Sequence, residues 1–346
     1  MTTTSAPPAP AAAEAGDDAA LALLRRFGDH TSAFLAYNDG TEHFTAPGIE
    51  GLAAYRTGGR RHAIQLCGPF AAERDRARLL DAFRDWAGGH GRRVTAVQLR
   101  ERDAHLYAER GFAVDQLGSS YGIDLDEFTL RGTRFMKTRN KIKRAGRLGV
   151  RVEECSPQQL RRRELDAELA AVDRDWLRGK GRHVKELAFM IGERAGRGLP
   201  HRRVFVARVD GRAVAYVTYS PCYGERPGWR YDLTRRVRGA PAGTIELIFH
   251  TAVERLREEG CRWLHLGFTP FVGLSPEHEL RGASSRTVRL VVDQLAKRGA
   301  AVYPARTQEA FKLKWAPQAI EPEYVAFEGR PTPGAVWQLM RVTRTL

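Results

Sequence analysis

The stretch VFVARVDGRAVAYVTY, residues 204–219, indicates the fold class more directly than any other part of the chain. Apolar residues alternate with other residues on both sides of Asp210-Gly211. An Asp-Gly pair between two alternating runs is a strong signal for a β-hairpin with a two-residue turn. Beyond the hairpin, the pattern predicts a strand at 229–233, a helix at 244–259, a strand at 263–268 and a helix at 288–298.

The first half of the chain repeats this order of elements. The patterns there predict helices at 21–27, 71–86 and 103–110, and strands at 32–37, 62–67, 94–99 and from Gly111 onward. Strands that alternate with helices predict an α/β fold with a mixed or parallel sheet. The repeated order predicts two copies of one fold, a first lobe at 21–130 and a second at 149–346. Residues 1–20, rich in Ala, Pro and Thr, are expected to form a disordered tail.

The segment between the two lobes, residues 131–148, is predicted to be a basic connecting helix. Its sequence RGTRFMKTRNKIKRAGR carries eight Lys and Arg residues and no acidic residue, so an exposed helix is expected. Such a helix would bind the phosphates of a nucleic acid rather than read its bases, because it has few aromatic side chains. The candidate contact residues are Arg134, Lys137, Arg139, Lys141, Lys143 and Arg144. The alternative is a solvated linker helix.

Composition restricts the class of protein. The 346-residue chain has a formal net charge of +15, which favours a polyanionic partner such as RNA, acidic lipid or a phosphorylated cofactor, although an Arg-rich codon usage is an alternative explanation. Its four cysteines lie far apart, so neither a zinc site nor a disulfide framework is indicated. We find no signal peptide and no run long enough to span a bilayer, and therefore expect a cytoplasmic, soluble protein.

Several motifs resemble one family. The segment AHLYAERGF, residues 104–112, resembles the helix-to-strand step of acetyltransferase-like (GNAT) folds. Residues 117–132 and 137–144 resemble the joint between the lobes in the C-terminal domain of lysylphosphatidylglycerol synthases. Residues 231–236, 241–246, 265–270 and 311–317 follow the same family in the same order, and the resemblance covers about residues 50 to 330.

The resemblance implies two tandem GNAT-like lobes and an aminoacyltransferase whose donor is aminoacyl-tRNA. The basic helix would then be the tRNA-binding element. In membrane-bound members the acceptor is phosphatidylglycerol, whereas the acceptor of one soluble relative, a seryl-tRNA-dependent enzyme, is a small hydroxylamine. Because the integral membrane half of the family is missing from this sequence, we expect a hydroxyl, hydroxylamine or amine of a small biosynthetic acceptor, as in antibiotic biosynthesis. Transfer to phosphatidylglycerol by a peripheral enzyme is the alternative.

An aminoacyl ester is already activated, so such an enzyme must align the nucleophile, collect its proton and stabilise the oxyanion. No cofactor and no metal are expected. Asp232 and Arg236 match the family pattern D-x-x-x-R. Asp232 is expected to bind the α-ammonium of the aminoacyl group, while Arg236 holds the terminal ribose-phosphate or steadies Asp232. A surface ion pair is the alternative for these two residues.

Three further catalytic candidates lie in the second lobe. Glu246 lies in the first turn of an apolar helix. It would act as a general base or as a partner of Arg236. The alternative is a structural carboxylate that is stabilised by the positive N-terminal end of the helix. Lys312 and Lys314 belong to the run FKLKW, predicted as a strand that places both on one side. One of them would bind the ester carbonyl or a phosphate of the tRNA 3′ end. The alternative is an exposed edge strand whose lysines prevent pairing with other chains.

Two other classes of function compete with this interpretation. An acyl-coenzyme A-dependent GNAT N-acyltransferase would need a phosphate-binding loop of the form R-x-x-G-x-G/A, and the nearest segment, GAPAG at 239–243, lacks it. A non-catalytic protein that binds RNA or lipid is the third class. The amino acid, the acceptor and the oligomeric state stay open from the sequence.

Overall fold

The computed structural model describes residues 16–180, 188–298 and 305–344. Within these ranges the strands are β1 (Glu42–Phe44), β2 (Gly51–Gly58), β3 (His62–Ala71), β4 (Arg93–Leu99), β5 (Phe112–Asp124), β6 (Arg151–Glu154), β7 (Arg203–Val209), β8 (Arg212–Cys222), β9 (Gly228–Arg236), β10 (Trp263–Pro270) and β11 (Ala319–Glu328). The helices are α1 (Asp17–Phe27), α2 (Glu73–Gly89), α3 (Glu101–Ala108), α4 (Met136–Arg147), α5 (Pro157–Leu160), α6 (Arg163–Lys180), α7 (Thr244–Glu258), α8 (Arg286–Arg298), α9 (Ala305–Leu313) and α10 (Pro333–Val342).

The described strands join into one sheet in the order β1-β2-β3-β4-β11-β5-β10-β9-β8-β7-β6. Two neighbouring pairs are parallel, β3 with β4 and β9 with β10, and a helix connects the strands of each pair, α2 in the first half and α7 in the second. Both halves therefore repeat the same unit, with the basic helix α4 between them. The predicted α/β fold class, with the same unit repeated in both halves and a basic helix between them, is confirmed.

Strand β11 connects the two halves. It follows α9 in the chain, yet it lies between β4 and β5 and pairs with β5 along its whole length, from Ala319 opposite Gly122 to Glu328 opposite Phe112. The sheet of the first half thus contains a strand from the last part of the sequence. The lobe boundaries at residues 130 and 149 stay a prediction. At the other end, α1 begins at Asp17, so the last four residues assigned to the tail are helical, and residues 1–15 lie outside the described part.

The core holds the connecting helices against the sheet through aromatic side chains. Phe83 and Trp86 of α2 pack on Phe44 and Tyr55. In the second half, Phe249 of α7 stacks on Trp315 with ring centroids 4.0 Å apart. Burying a side chain of this size contributes about 1.5–3 kcal/mol. The stack fixes the end of α9 beside α7, and thereby places two of the predicted site lysines.

Two predicted strands are wrong. Residues 33–37 form a short 3-10 helix, Ala33–Tyr37, in which all five side chains are buried, so the segment has no alternation between a buried and an exposed face. The run FKLKW belongs to the end of α9 and the turn after it. Phe311 and Trp315 are four residues apart, the spacing that brings two side chains together on a helix, and their rings are in edge contact. The hairpin of β7 and β8 is confirmed, with Asp210 and Gly211 both at positive φ as its turn requires.

Candidate active site

Strands β9 and β10 pair at only three positions, and the last of these joins Arg230 to His265. Directly after His265, β10 contains a bulge at Gly267, whose φ is +73°. A side chain at Gly267 would begin 2.9 Å from Nε of Arg230, so only glycine leaves room for this guanidinium. β-Bulges occur often beside active sites because they redirect the strand and its side chains. Here the bulge makes space for a buried cation between the two strands.

Asp232 is the centre of a buried hydrogen-bond network. Its side chain is completely covered and accepts hydrogen bonds from Arg230 Nη1 (2.7 Å), the Gly192 backbone N–H (2.7 Å) and the Ser220 hydroxyl (2.6 Å). Three donors therefore already occupy this carboxylate. The predicted role for Asp232, binding a substrate ammonium, is less favoured by these contacts than the role of fixing Arg230.

The predicted pairing of Asp232 with Arg236 is wrong. Arg236 is exposed at the end of β9, and the partner of Asp232 is Arg230. The reason is strand geometry: residues two apart on a strand lie about 7 Å from each other on the same face, whereas residues four apart are separated by about 13 Å. Side chains four residues apart meet on a helix but not on a strand. The pattern D-x-x-x-R therefore pointed to Arg236, although the partner of Asp232 is Arg230.

Other members of this network come from distant segments. Arg202 is buried, donates from Nε to the Ser220 hydroxyl (3.1 Å), and also bonds to the side chain of Asn38 from the first half. Asn38 in turn donates to the backbone carbonyl of Ile191 (2.8 Å). Sequence reasoning missed Arg202, Ser220 and Asn38, because no local pattern marks side chains that meet only in the folded chain.

Lys312 lies in the same buried region. It is 4% exposed and its Nζ donates to the carbonyl oxygens of Gly267 (2.7 Å) and Phe268 (2.9 Å), which leaves one N–H for a further acceptor. Burial, together with the charge of Arg230, holds the pKa of Lys312 well below its usual value. The ammonium thus holds the bulge of β10 and stands close to Arg230.

Lys314 does not lie on the same side as Lys312, in contrast to the prediction from a strand. On a helix, side chains two residues apart are rotated by about 200° about the axis, so those of Lys312 and Lys314 diverge. Lys314 Nζ contacts Glu246 Oε1 at 3.1 Å, at the start of α7. Lys141 of α4 contacts the same oxygen at 3.2 Å. Glu246 is therefore the partner of two lysines and not of Arg236.

These contacts argue against Glu246 as a general base. Burial by itself would raise the pKa of Glu246, but the ammonium of Lys314, supported by Lys141, outweighs burial and keeps the pKa below its usual value. A carboxylate of this kind remains ionised and is a weak proton acceptor at neutral pH. Its structural effect is to attach the basic helix to the start of α7 and the end of α9.

The basic helix α4 is exposed on one side, as predicted. Thr138 and Ala145 are buried, and α4 packs on α7; Gly243, just before α7, is so close that a side chain there would begin 2.1 Å from the carbonyl oxygen of Lys141. Of the six candidate tRNA-binding residues, five are exposed: Arg134, Lys137, Lys141, Lys143 and Arg144. Arg139 instead folds back on the carbonyl oxygens of Leu130 and Gly132.

The described residues contain no group of three His, Cys, Asp or Glu side chains placed to hold a metal ion. Among the helices of the described ranges, none has both the length and the apolar character that a bilayer crossing needs.

Comparison with known proteins identifies related chains. The family model described as "Phosphatidylglycerol lysyltransferase, C-terminal" matches residues 21–327. An MprF-like domain protein of Mycobacterium tuberculosis is 27% identical over 273 residues, which cover 76% of this chain and 54% of the relative. The phosphatidylglycerol lysyltransferase of Bacillus subtilis is 26% identical over 218 residues, 62% of this chain and 24% of that protein. The chain thus spans about half the length, or less, of these relatives.

A solved structure shows the same fold. The L-PGS structure from Bacillus licheniformis superimposes with a TM-score of 0.76 at 24% sequence identity, and the match covers 95% of this chain and 98% of the other.

Proposed function

Because the chain belongs to the family of the phosphatidylglycerol lysyltransferase C-terminal domain, we propose that it is an aminoacyltransferase that takes the aminoacyl group from a charged tRNA. The acceptor in this proposal is a hydroxyl, hydroxylamine or amine of a small molecule. One observation carries the proposal: the second half holds a buried centre of Arg230, Asp232 and Lys312, and a surface helix rich in cations packs on α7 of the same half. The first supplies fixed charges for an acyl transfer, and the second supplies contacts for RNA phosphates.

In the buried centre, each group has a separate task. Lys312 directs its remaining N–H to the ester carbonyl, where negative charge develops as the nucleophile attacks. Arg230, held by Asp232, adds a second positive charge at this place. Its Nε has no hydrogen-bond partner among the described residues, which leaves it for the substrate. Fixed donors of this kind need no reorganisation during the reaction, and losing one costs about 10²–10³ in rate.

The surface contacts hold the tRNA. Lys137, Lys143 and Arg144 of α4 are exposed and bind backbone phosphates. Arg236, exposed at the end of β9, contacts the terminal ribose-phosphate. The contacts of Lys141 and Lys314 with Glu246 attach this surface to the end of α9, the helix that also carries Lys312. In the proposal, the 3′ end of a bound tRNA extends from this surface to the buried centre.

The position of helix α4 also favours one class of acyl donor. In acetyltransferases the loop before the corresponding helix binds the phosphates of coenzyme A. Here Gly243 of that loop is in contact with the backbone of Lys141. The basic helix therefore occupies the space beside the loop, which favours a tRNA donor over coenzyme A.

Phosphatidylglycerol is a second acceptor that one observation favours. Helix α8 exposes Leu290 (64%) and Val291 (40%) next to the cations of Arg286 and Arg289. Exposed apolar residues flanked by basic ones are suited to the surface of an anionic bilayer. The chain would then act as a peripheral enzyme on a lipid.

The test is a donor screen. The protein is incubated with a set of radiolabelled aminoacyl-tRNAs and with either small amines and hydroxylamines or phosphatidylglycerol vesicles. We expect one charged tRNA to lose its label to an acceptor, with complete loss of transfer after RNase treatment. Turnover that resists RNase and uses an acyl-coenzyme A would contradict the proposal.

A further inference from the structure

We propose that Glu323 is the proton acceptor of this site, the group that takes the proton from the attacking acceptor. The inference rests on the proposed aminoacyl transfer and adds a catalytic residue to it. Glu323 belongs to β11, the strand inserted between β4 and β5 of the first half, and is 1% exposed. Neither carboxylate oxygen has a hydrogen bond of normal geometry within the described part of the chain, although the Ser120 hydroxyl interacts with this carboxylate and partly offsets the effect of burial on its pKa. A covered carboxylate with so little hydrogen bonding is costly unless a ligand or water meets it.

The backbone around Glu323 is irregular. β11 contains a bulge directly after this residue, where its register with β5 shifts. In the neighbouring strands, Cys67 and Gln98 have φ values of +58° and +55°, although neither is a glycine. Residues in this region of φ are held at a cost of about 1–3 kcal/mol and gather at functional sites. The bulge and these two residues lie side by side, because Leu66 pairs with Val97 and Leu99 with Tyr324.

The His30 ring faces the carboxylate of Glu323. The backbone N–H of Ser32 donates to His30 Nδ1 (2.9 Å), so the ring carries its proton on Nε2. Nε2 lies 3.6 Å from Glu323 Oε1. Burial keeps the pKa of His30 well below its usual value, and the ring therefore remains a neutral donor that faces Glu323.

Titratable and charged groups from five separate segments surround Glu323. His30 faces it, and Cys67, Arg100, Arg230 and Lys312 interact with it electrostatically. Burial nevertheless dominates and raises the pKa of Glu323 to about 7. A base with a pKa near the working pH is both available and strong enough to accept a proton. Two of its neighbours, Arg230 and Lys312, are the groups that would stabilise the oxyanion.

The step is balanced without a further reactant. The acceptor oxygen or nitrogen forms a bond to the ester carbonyl carbon, and its proton passes to Glu323. The bond from that carbon to the ribose oxygen of the tRNA then breaks, and the released ribose oxygen takes the proton from Glu323. The carboxylate is regenerated, and the charge on the carbonyl oxygen exists only between the two events.

The experiment measures single-turnover transfer with saturating charged tRNA between pH 5.5 and 8.5. For the wild-type protein we expect the rate to fall about tenfold per pH unit below pH 7. Glu323→Gln should lower the rate by 10²-fold or more, the scale of a lost general base, and remove this dependence on pH. Glu321→Gln is the matched control, since Glu321 lies two residues away on the same strand, paired with Arg226 at the surface. It should keep the wild-type profile.

A second variant covers the case in which Glu323→Gln does not fold. His30→Phe preserves a ring but removes the donor, so the fall in rate should move to higher pH. A folded Glu323→Gln variant with an unchanged profile, or a His30→Phe profile at the wild-type position, would overturn the inference. A wild-type protein that transfers nothing from any charged tRNA would instead contradict the proposed function.

Discussion

The two parallel strand pairs of the sheet differ in what surrounds the helix that connects them. Helix α2 begins with Glu73 and Asp75, so its own carboxylates occupy the positive end of the helix. Helix α7 begins with Glu246, and two lysines from other segments contact that carboxylate. The start of α2 is therefore balanced by its own sequence, whereas the start of α7 carries an excess of positive charge.

The parallel strand pairs also differ in the charge that they enclose. β3 and β4 pair at five positions, and one of the paired residues, Gln65, accepts a hydrogen bond from the buried hydroxyl of Tyr107 (2.6 Å). β9 and β10 pair at three positions and enclose Arg230, held by Asp232. One unit thus serves two purposes. In the proposed reaction the second half supplies the cations Arg230 and Lys312, whereas the sheet of the first half holds β11 with Glu323.

The largest expected effect tests this assignment directly. Asp232→Asn preserves the shape of the side chain but removes the charge that fixes Arg230, and transfer should fall by about 10²-fold or more. Asp115→Asn, in β5 of the first half, only loses contacts to Ser284 and Ser285, and its rate should stay within a few-fold of wild type. Single-turnover rates of folded variants, checked by thermal unfolding, decide the outcome. If Asp115→Asn loses activity and Asp232→Asn keeps it, the active site lies in the other half.

The next effect concerns stability and pH. Burial raises the pKa of Glu323 from 4.5 to about 7. Because the carboxyl group binds its proton more tightly in the folded state, protonation of Glu323 favours folding. This stabilisation is fully present below the pKa of the unfolded state and is lost as the pH rises through the pKa of the folded state. Between pH 5 and pH 8 the free energy of unfolding should thus decrease by about 2 kcal/mol in the wild-type protein relative to Glu323→Gln. Urea unfolding of both proteins at the two pH values measures the difference, and parallel pH curves would contradict it.

A smaller effect separates the basic helix from the other exposed cations. Reversal of Lys137, Lys143 and Arg144 to Glu should weaken tRNA binding about tenfold at moderate salt. It should also reduce the slope of log K against log salt by roughly 0.7–0.9 for each lost contact. Arg61, Arg74 and Arg78, which are exposed in the first half, provide the matched reversal of three charges. Equal losses in both variants would mean that tRNA binding depends only on net charge.

The smallest effect compares the first turns of the two helices. Glu246→Gln should reduce the free energy of unfolding by about 1 kcal/mol at pH 7, since the contacts to two lysines are weakened. Because these lysines keep the pKa of Glu246 below its usual value, the stabilisation disappears as the pH falls below about 4.5. Glu73→Gln, at the exposed start of α2, should change little. Denaturation at pH 7 and pH 3 checks both, and equal effects of the two variants would remove the distinction.

Local signals in the sequence were sufficient for most of the elements. The Asp210-Gly211 turn fixed the hairpin, and regular periodicity predicted α2 and α7 to within a few residues at each end. Residues 33–37 and the run FKLKW were predicted wrongly, because short apolar runs fit a strand and a helical turn equally well.

The candidate site was harder to predict, because its members are related only in space. Asp232 was selected, but its arginine was taken four residues along the chain and not two. Glu323 and His30 come from opposite ends of the described chain, and no spacing connects them. The position of β11 between β4 and β5 brings them together, and this long-range pairing leaves no trace in local periodicity.

The inserted strand β11 also has a consequence for synthesis on the ribosome. β4 and β5 emerge early, but the strand that fills the place between them follows roughly 200 residues later, on the order of 10–40 s at usual rates of translation. During this time both strands have an unpaired edge, which is an opportunity for wrong pairing or aggregation. The nascent chain is thus committed to a late, non-local closing step, and the two lobes mature together as one cooperative unit rather than one after the other.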